Sequence, residues 1–430
     1  MTDVCVVGLG KIGLPLACAI ARAGHTVRGA DISADTVDLV NRAEEPFPGE
    51  DGLAAALTEV TAAGSLSATT DTIAAVAESE VVIVVVPLVV DADATPEFRA
   101  LDAATKAVAA GLRPGTLVSY ETTLPVGTTR GRFGPALEAG SGLTLGEDLF
   151  LVHSPERVFS GRIFEDLRRY PKLVGGVDTA SNDRGVAFYE SFLEFDQRDD
   201  LDRPNGVWSL DTAEAAELAK LAETTYRDVN IAFANELAVA AEGIGVDVHA
   251  VIAACNSQPF SHIHQPGIWV GGHCIPVYPH LLMNSVPGFR LPAVAREVNS
   301  AMPAHALDAL EAALGELADR TVAVLGLAFR AGVKEDAFSG AYPLVAQIEA
   351  RGATAVVHDP MYRPEEIEAR GMTPFTLGGP CDAVIVHTAH PEYATSALGD
   401  GATVVYDGRA TGLTADDDVR VITVGSPRRP

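Results

Sequence analysis

The sequence predicts an α/β chain with two parallel-sheet domains, joined by a long central helix and a helical dimerisation region. Three observations carry that expectation. The chain opens on a strand, a glycine turn, a helix, a second strand and an acid. A long proline-free stretch runs from Ala213 to Gly243. The last third then repeats the opening pattern.

Val4 to Val7 is a run of β-formers and reads as a buried parallel strand. It enters Gly8-Leu9-Gly10-Lys11-Ile12-Gly13. Leu14 to Ala23 is helical in composition, Gly24-His25 stops it, and Thr26 to Ala30 is the next strand, ending at Asp31. This is the spacing of a Rossmann unit. Gly8 permits the tight turn, Gly10 lets a pyrophosphate reach the backbone, and Gly13 lets the helix pack on the sheet. The helix N-terminus offers free N–H groups to phosphates. Asp31 accepts from ribose hydroxyls and repels a 2′-phosphate, so NAD is favoured over NADP.

The alternation continues. Val81 to Val86 is a strand ending at Pro87, Leu117 to Tyr120 one ending at "ETTLPVG", and Phe150 to His153 one ending at Ser154-Pro155-Glu156-Arg157. Ligands of open parallel sheets bind beyond the carboxyl ends of strands. Thr123 and Glu156 stand at such ends and are site candidates. Each also fits a plainer role, Thr123 as a turn hydroxyl and Glu156 as a carboxylate at a helix N-terminus.

At 430 residues the chain is too long for one core. Residues 1–205, 206–302 and 303–430 are the expected domains. A net charge of -27 argues against nucleic acid and against anionic membrane surfaces. The lysines are Lys11, Lys106, Lys172, Lys220 and Lys334. The cysteines, Cys5, Cys18, Cys255, Cys274 and Cys381, are widely spaced, which speaks against a disulfide framework and against structural zinc. No basic leader precedes the first strand, and the longest apolar run, Val81 to Val90, is too short to span a bilayer. A cytoplasmic setting is expected.

Asp200 to Trp208, with Pro204-Asn205-Gly206, marks a boundary, and Asp211 or Thr212 can cap the helix that follows. Apolar positions recur at Ala222, Tyr226, Val229, Phe233, Leu237 and Ala240. A helix this long, ~45 Å at 1.5 Å per residue, suits a connector or dimerisation element. Lys220 lies near its start with Thr224 one turn on. A solvated lysine paired with Glu223 is the alternative for Lys220.

Beyond it comes Gly271-Gly272-His273-Cys274-Ile275-Pro276. Two glycines and a proline make a turn that presents the cysteine, and a presented thiol is a nucleophile. The same hexapeptide fits a buried small hydrophobe beside a turn. His262, His264 and His273 lack a metal-ligand register, so no metal is expected.

In the last third, "TVAVLGL" echoes "DVCVVGL", and Ala353 to Asp359 echoes Val27 to Asp31. The glycine fingerprint is incomplete, so this unit is expected to hold a different nucleotide or none. Arg330 and Arg409 stand where an anionic ligand can be met. The tail "GSPRRP" is expected to be disordered.

Taken together, "GLGKIGLPLA", "ETTLPVGTT", "SPERVFSGR", "AKLAETTYRDVNIAFANELA", "PGIWVGGHCIPV", "VAVLGLAFR" and "YDGR" resemble the UDP-glucose/GDP-mannose dehydrogenase family, nearest its UDP-N-acetyl-hexosamine branch. The resemblance covers essentially the whole chain. It implies an NAD-dependent, four-electron oxidation of C6 of a nucleotide sugar to a uronic acid, by a homodimer. It implies Cys274 as nucleophile through a thiohemiacetal and a thioester, Lys220 as stabiliser of negative charge on oxygen, Glu156 as the family's glutamate and Thr123 as its water-positioning threonine. Gly8, Gly10, Lys11, Ile12, Gly13, Asp31, Pro87 and Thr123 would meet NAD. Arg157, Val158, Phe159, Lys220, Thr224, Gly267, Gly271, Arg330 and Arg409 would meet the nucleotide sugar.

Three positions depart from the family pattern. Tyr278 stands for an Asp, Thr224 for an Asn, and no arginine follows Asp336-Ala337-Phe338-Ser339 where one is usual. The first puts full four-electron turnover in question, since tyrosine is a poor base near neutral pH. A two-electron sugar dehydrogenase and a non-catalytic NAD-binding homologue are the alternatives. The sequence leaves the sugar and the base open among UDP, GDP and deoxythymidine sugars.

Overall fold

The computed structural model describes the chain apart from residues 92–93, 395–397, 415–417 and 428–430. The described residues divide into two compact units, Met1–Ala222 and Glu223–Pro430.

The strands of the first unit are β1 Asp3–Val7, β2 Thr26–Ala30, β3 Leu66–Thr69, β4 Val81–Val84, β5 Val89–Val90, β6 Pro96–Glu97, β7 Thr116–Tyr120, β8 Leu149–His153, β9 Lys172–Gly176 and β10 Val207–Thr212. β5 and β6 pair with each other. The others form one sheet in the order β10-β9-β8-β7-β4-β1-β2-β3. From β3 to β8 every pairing is parallel, and the order reverses between β1 and β4, where an open α/β sheet offers its ligand crevice. β9 runs antiparallel to β8, and β10 parallel to β9. The sheet, parallel through its six central and far strands as the sequence predicts, is therefore mixed at this edge alone. Val207–Thr212, just past the Pro204-Asn205-Gly206 turn, pairs into this sheet.

Both faces of the sheet are covered. Val4 and Val6 of β1 enter one core, and Cys5 and Val7 the other, as the two-residue repeat of a strand requires. The apolar run Val81 to Val90 is not one strand. β4 stops at Val84, and Val89 is half-exposed in β5.

The long helix spans Ala213–Ile244. Thr212 Oγ1 accepts the Ala215 N–H at 3.2 Å at its start, and Gly245, at φ +84°, follows its end. Its apolar row is not its packed face, since Tyr226 and Phe233 are half-exposed. The buried side carries small and polar residues, Thr224, Asp228, Ala234, Asn235 and Ala238 among them.

The second unit places β11 Thr321–Leu325, β12 Thr354–His358, β13 Ala383–Val386, β14 Val404–Asp407 and β15 Arg420–Thr423 in the all-parallel order β12-β11-β13-β14-β15. Val322 and Val324 enter one core, Ala323 and Leu325 the other. The turn after β11 differs from the one after β1. Asp359 Oδ2 accepts the N–H groups of Leu327 and Ala328, both at 2.8 Å, and lies 3.2 Å from His390 Nε2. The C-terminal tail is ordered at its start, against expectation. Gly425 is buried, donates to Glu242 Oε1 at 2.8 Å and accepts from Val248 N at 2.9 Å. The rest of that expectation, at residues 428–430, lies outside the described residues.

A buried polar network replaces apolar packing between two helices of this unit. Asn299 Nδ2 donates to Asp228 Oδ1 at 2.8 Å, Asn235 Nδ2 donates to Asn299 Oδ1 at 2.8 Å, and Arg296 Nε lies 3.0 Å from Asp228 Oδ2. Burial pushes the Asp228 carboxyl up, and Arg296 and Asn299 oppose it. Arg296→Met leaves that carboxylate buried without its cation. It should cost about 3–5 kcal/mol of stability, read as an earlier urea midpoint at pH 7. An unchanged midpoint would show that the pair contributes nothing.

Candidate functional site

The glycine turn after β1 is shaped by three different demands. Gly8 has φ +98°, and a Cβ there would lie 3.0 Å from the Val85 carbonyl oxygen. A Cβ on Gly13 would lie 1.9 Å from the Gly8 carbonyl oxygen, so only glycine lets the helix Gly13–Arg22 begin there. Gly10 differs: a Cβ would meet nothing within 4 Å, and the residue is exposed beside Lys11. That open space lies before a helix whose first turn lacks a side-chain cap at Ile12. An open helix start of this kind can receive a pyrophosphate. Asp31, half-buried at the end of β2, accepts Leu9 N at 2.8 Å and Ser33 N at 2.9 Å. Pro87 is exposed beyond β4. These residues fit NAD.

Thr123 is buried in the loop leaving β7. That loop is tied to the start of the long helix by Glu217, which is fully buried. Its Oε1 accepts the Thr129 N–H at 2.8 Å and hydroxyl at 2.6 Å, and its Oε2 accepts Gly127 N at 2.5 Å. Burial pushes the Glu217 carboxyl up to about 7 against these donors. Lys220, three residues on, is buried rather than solvated. Thr224 is buried as well.

Glu156 lies in the loop leaving β8, one strand over from Thr123. Its Oε1 accepts Arg157 N at 2.7 Å, and its Oε2 lies 2.9 Å from Lys172 Nζ. The same amine lies 2.7 Å from Glu121 Oε2, and Glu121 Oε1 accepts the Tyr189 hydroxyl at 2.6 Å. Tyr189 OH is also 2.7 Å from Ser119 Oγ. Further along, Phe159 N donates to the buried Asp166 at 2.8 Å, and Glu50 accepts Gly161 N and Ile163 N, both at 2.6 Å. Two buried carboxylates thus fix the backbone that carries Arg157, Val158 and Phe159. Val158 packs on the core, while Phe159 remains partly exposed under the Arg162 guanidinium.

In the second unit the cysteine loop rests on Phe329. A Cβ on Gly271 would lie 2.7 Å from Phe329 Cβ, and one on Gly272, at φ +91°, 3.1 Å from its ring. Gly272 N donates to the Ala337 carbonyl at 2.9 Å, and Trp269 Nε1 to the Phe338 carbonyl at 2.8 Å. Cys274 follows, half-buried, with its carbonyl accepting Tyr278 N at 2.9 Å at the start of the helix Tyr278–Ser285. Cys5 and Cys18 are buried in the first unit, and burial pushes both thiols up to about 12. Arg330, exposed, is the residue after Phe329. Gly267 N donates to Asn235 Oδ1 at 2.9 Å, and a Cβ on Gly267 would lie 3.0 Å from an Arg409 guanidinium nitrogen. Arg409 Nε donates to the His387 carbonyl at 2.6 Å, and burial lowers its pKa to about 10 against the pull of Asp407. A guanidinium does reach Asp336 where the sequence lacks one: Arg370 Nε donates to its Oδ2 at 2.7 Å.

Sequence reasoning missed Glu121, Lys172, Tyr189 and Glu217. Lys172 had one signal, as one of five lysines and the first residue of an apolar strand. The antiparallel turn of β9 brings that first residue to the ligand edge of the sheet.

Fold and turn define a dinucleotide-dependent enzyme of two Rossmann-like units. Family models agree: residues 2–193, 214–301 and 323–412 match the NAD binding, central and UDP binding domains of the UDP-glucose/GDP-mannose dehydrogenase family. A UDP-N-acetyl-D-mannosamine dehydrogenase of Pyrococcus horikoshii is 35% identical over 395 residues, 91% of this chain and 90% of its own. An NDP-N-acetyl-D-galactosaminuronic acid dehydrogenase of Ralstonia solanacearum is 34% identical, covering 83% and 82%. The solved structure of UDP-D-ManNAc dehydrogenase from Pyrococcus horikoshii superposes with a TM-score of 0.87 at 32% identity, over 98% of this chain and 99% of that one. The chain belongs to the UDP-glucose/GDP-mannose dehydrogenase family and is an NAD-dependent nucleotide-sugar dehydrogenase.

Two glycine substitutions separate the demands of the turn. Gly10→Val should leave the melting temperature unchanged and weaken NAD binding about tenfold or more, ~1.4 kcal/mol, in a fluorescence titration. Gly13→Val should instead destabilise the fold by about 1–3 kcal/mol or more, in thermal unfolding without ligand.

Proposed function

We propose that the chain oxidises C6 of a UDP-linked N-acetylhexosamine, of the N-acetylmannosamine type, to the uronic acid. Two NAD are reduced per sugar. The observation that carries this reading is the cysteine loop: two glycines pressed on Phe329 leave Cys274 half-buried at the exit of a tight turn.

Bound NAD supplies the hydride acceptor for both oxidations, alcohol to aldehyde and thiohemiacetal to thioester. Cys274 sulfur adds to the aldehyde carbon, and the carbonyl pair becomes an oxyanion. The Lys220 ammonium stabilises that charge. After the second oxidation the carbon is held as a thioester. Water attacks it, Glu156 takes the water's proton, the C–S bond breaks, and the thiolate leaves with the carboxylic product. Thr123 orients the water. The reaction requires Lys220 and Cys274 to act on one carbon. Arg157, Arg330 and Arg409 supply cations for the diphosphate in a chain of net charge -27.

The proposal includes a homodimer and the three-part division at residues 205 and 302. The uncovered row on the long helix supports the dimer: Tyr226 and Phe233 are two turns apart and half-exposed. Tyr278, where the family has Asp, favours a second reading in which oxidation stops at the aldehyde.

With UDP-N-acetyl-D-mannosamine, two NADH per sugar and a uronic acid are expected, and Cys274→Ser should abolish the second equivalent. One NADH and an aldehyde from the unmodified protein would establish the second reading. Phe233→Glu should halve the mass found by light scattering, and a wild-type monomer would remove the dimer.

A further inference from the structure

We infer that Lys172 and Glu121, closed off beneath Glu156, hold that carboxylate ionised and aimed, making Lys172 a positioning residue for hydrolysis. The inference rests on the reading of Glu156 as the base that takes the water's proton.

The placement follows from topology. β8 and β9 pair antiparallel, with Val152 opposite Gly176 and His153 opposite Gly175. Extending that pairing three residues brings Glu156 opposite Lys172. The lysine amine then bridges Glu156 and Glu121, at 2.9 and 2.7 Å. Lys172 and Glu121 are closed to solvent, whereas the Glu156 side chain is 11% exposed. Glu156 is thus the open end of the cluster. Its oxygens take the Arg157 N–H and the Lys172 ammonium as fixed donors, and Glu121 hydrogen-bonds it as well.

One cation faces two carboxylates, so a buried proton remains to be shared. Burial pushes Glu121 up to about 7 despite Lys172. Burial raises Glu156 too, but Lys172 and the Arg157 N–H outweigh it and hold the group below its usual value. The proton therefore resides on Glu121 and the charge on Glu156. The other groups nearby do not compete. Burial and Lys172 push His153 down to about 3, so it is neutral. Burial and Glu121 keep the Tyr189 phenol protonated. The Arg157 guanidinium donates to the Pro171 carbonyl at 3.3 Å.

The test is the pH dependence of kcat for NADH formation from UDP-N-acetyl-D-mannosamine and NAD. A base must be ionised, so the rate falls as pH drops through the pKa of Glu156. Without the cation, two buried carboxylates share one proton, and Lys172→Met should move this acid limb up by about one to three pH units. Lys172→Arg should keep the wild-type limb. Glu121→Gln mimics the protonated acid and should also keep it. If Lys172→Met fails to fold, the double variant with Glu121→Gln puts a neutral amide in place of the second buried carboxyl, and the limb of Glu156, still without its cation, should move up. A wild-type limb in these lysine-to-methionine proteins overturns the inference, provided Glu156→Gln abolishes turnover. Should Glu156→Gln keep the wild-type rate and limb, the reading of Glu156 as base fails instead.

Discussion

Close backbone approach, allowed only where a Cβ is missing, is the constraint on which the candidate groups depend. At Gly13 the helix meets the carbonyl of Gly8, and Gly10 between them faces open space. At Gly271 and Gly272 the chain lies against Phe329, and that contact sets where Cys274 emerges. At Gly267 it lies against Arg409. In the last two cases the candidate side chain, Cys274 or Arg409, belongs to another residue, and the glycine allows the close approach. A side chain at any of these points would shift a whole segment, because interiors are close-packed.

The sequence was most legible where chemistry is local. The β1 to β2 unit, the extent of the long helix from Ala213 and the repeat at β11 could be read from periodicity and glycines, since those signals lie within a few residues of what they determine. The reversal of β9 was not legible, because strand direction is settled by pairing partners far apart in sequence. The long helix taught a different lesson. Its apolar row at Tyr226 and Phe233 points outward, and its packed face carries Thr224, Asp228 and Asn235. Periodicity found the helix and its stripe. Which side is covered within one chain depends on polar partners, such as Asn299 and Arg296, that no local pattern reveals.

Of the candidate site, the residues on motifs were visible and those behind them were not. Thr123, Glu156, Lys220 and Cys274 stand at strand ends, a helix start and a glycine turn. Glu217 and Glu121 look in sequence like ordinary surface acids. Burial changes their character, because a desolvated carboxylate must find donors or keep its proton. Glu217 finds three donors in the Thr123 loop. Glu121 finds Lys172 and Tyr189. These groups make the loops rigid, and rigidity in the supporting layer is what lets strand-end residues hold a geometry.

Asp359 carries one further consequence. Its carboxylate accepts both N–H groups of the turn after β11 and meets His390, with almost no exposure. Asp31, its counterpart in the first unit, is more open and accepts a single N–H of its own turn. The later copy of the turn is thus held by its own acid, tied to two backbone N–H groups and an imidazole. Divergence between the halves then requires no new topology, only an acid that has turned inward.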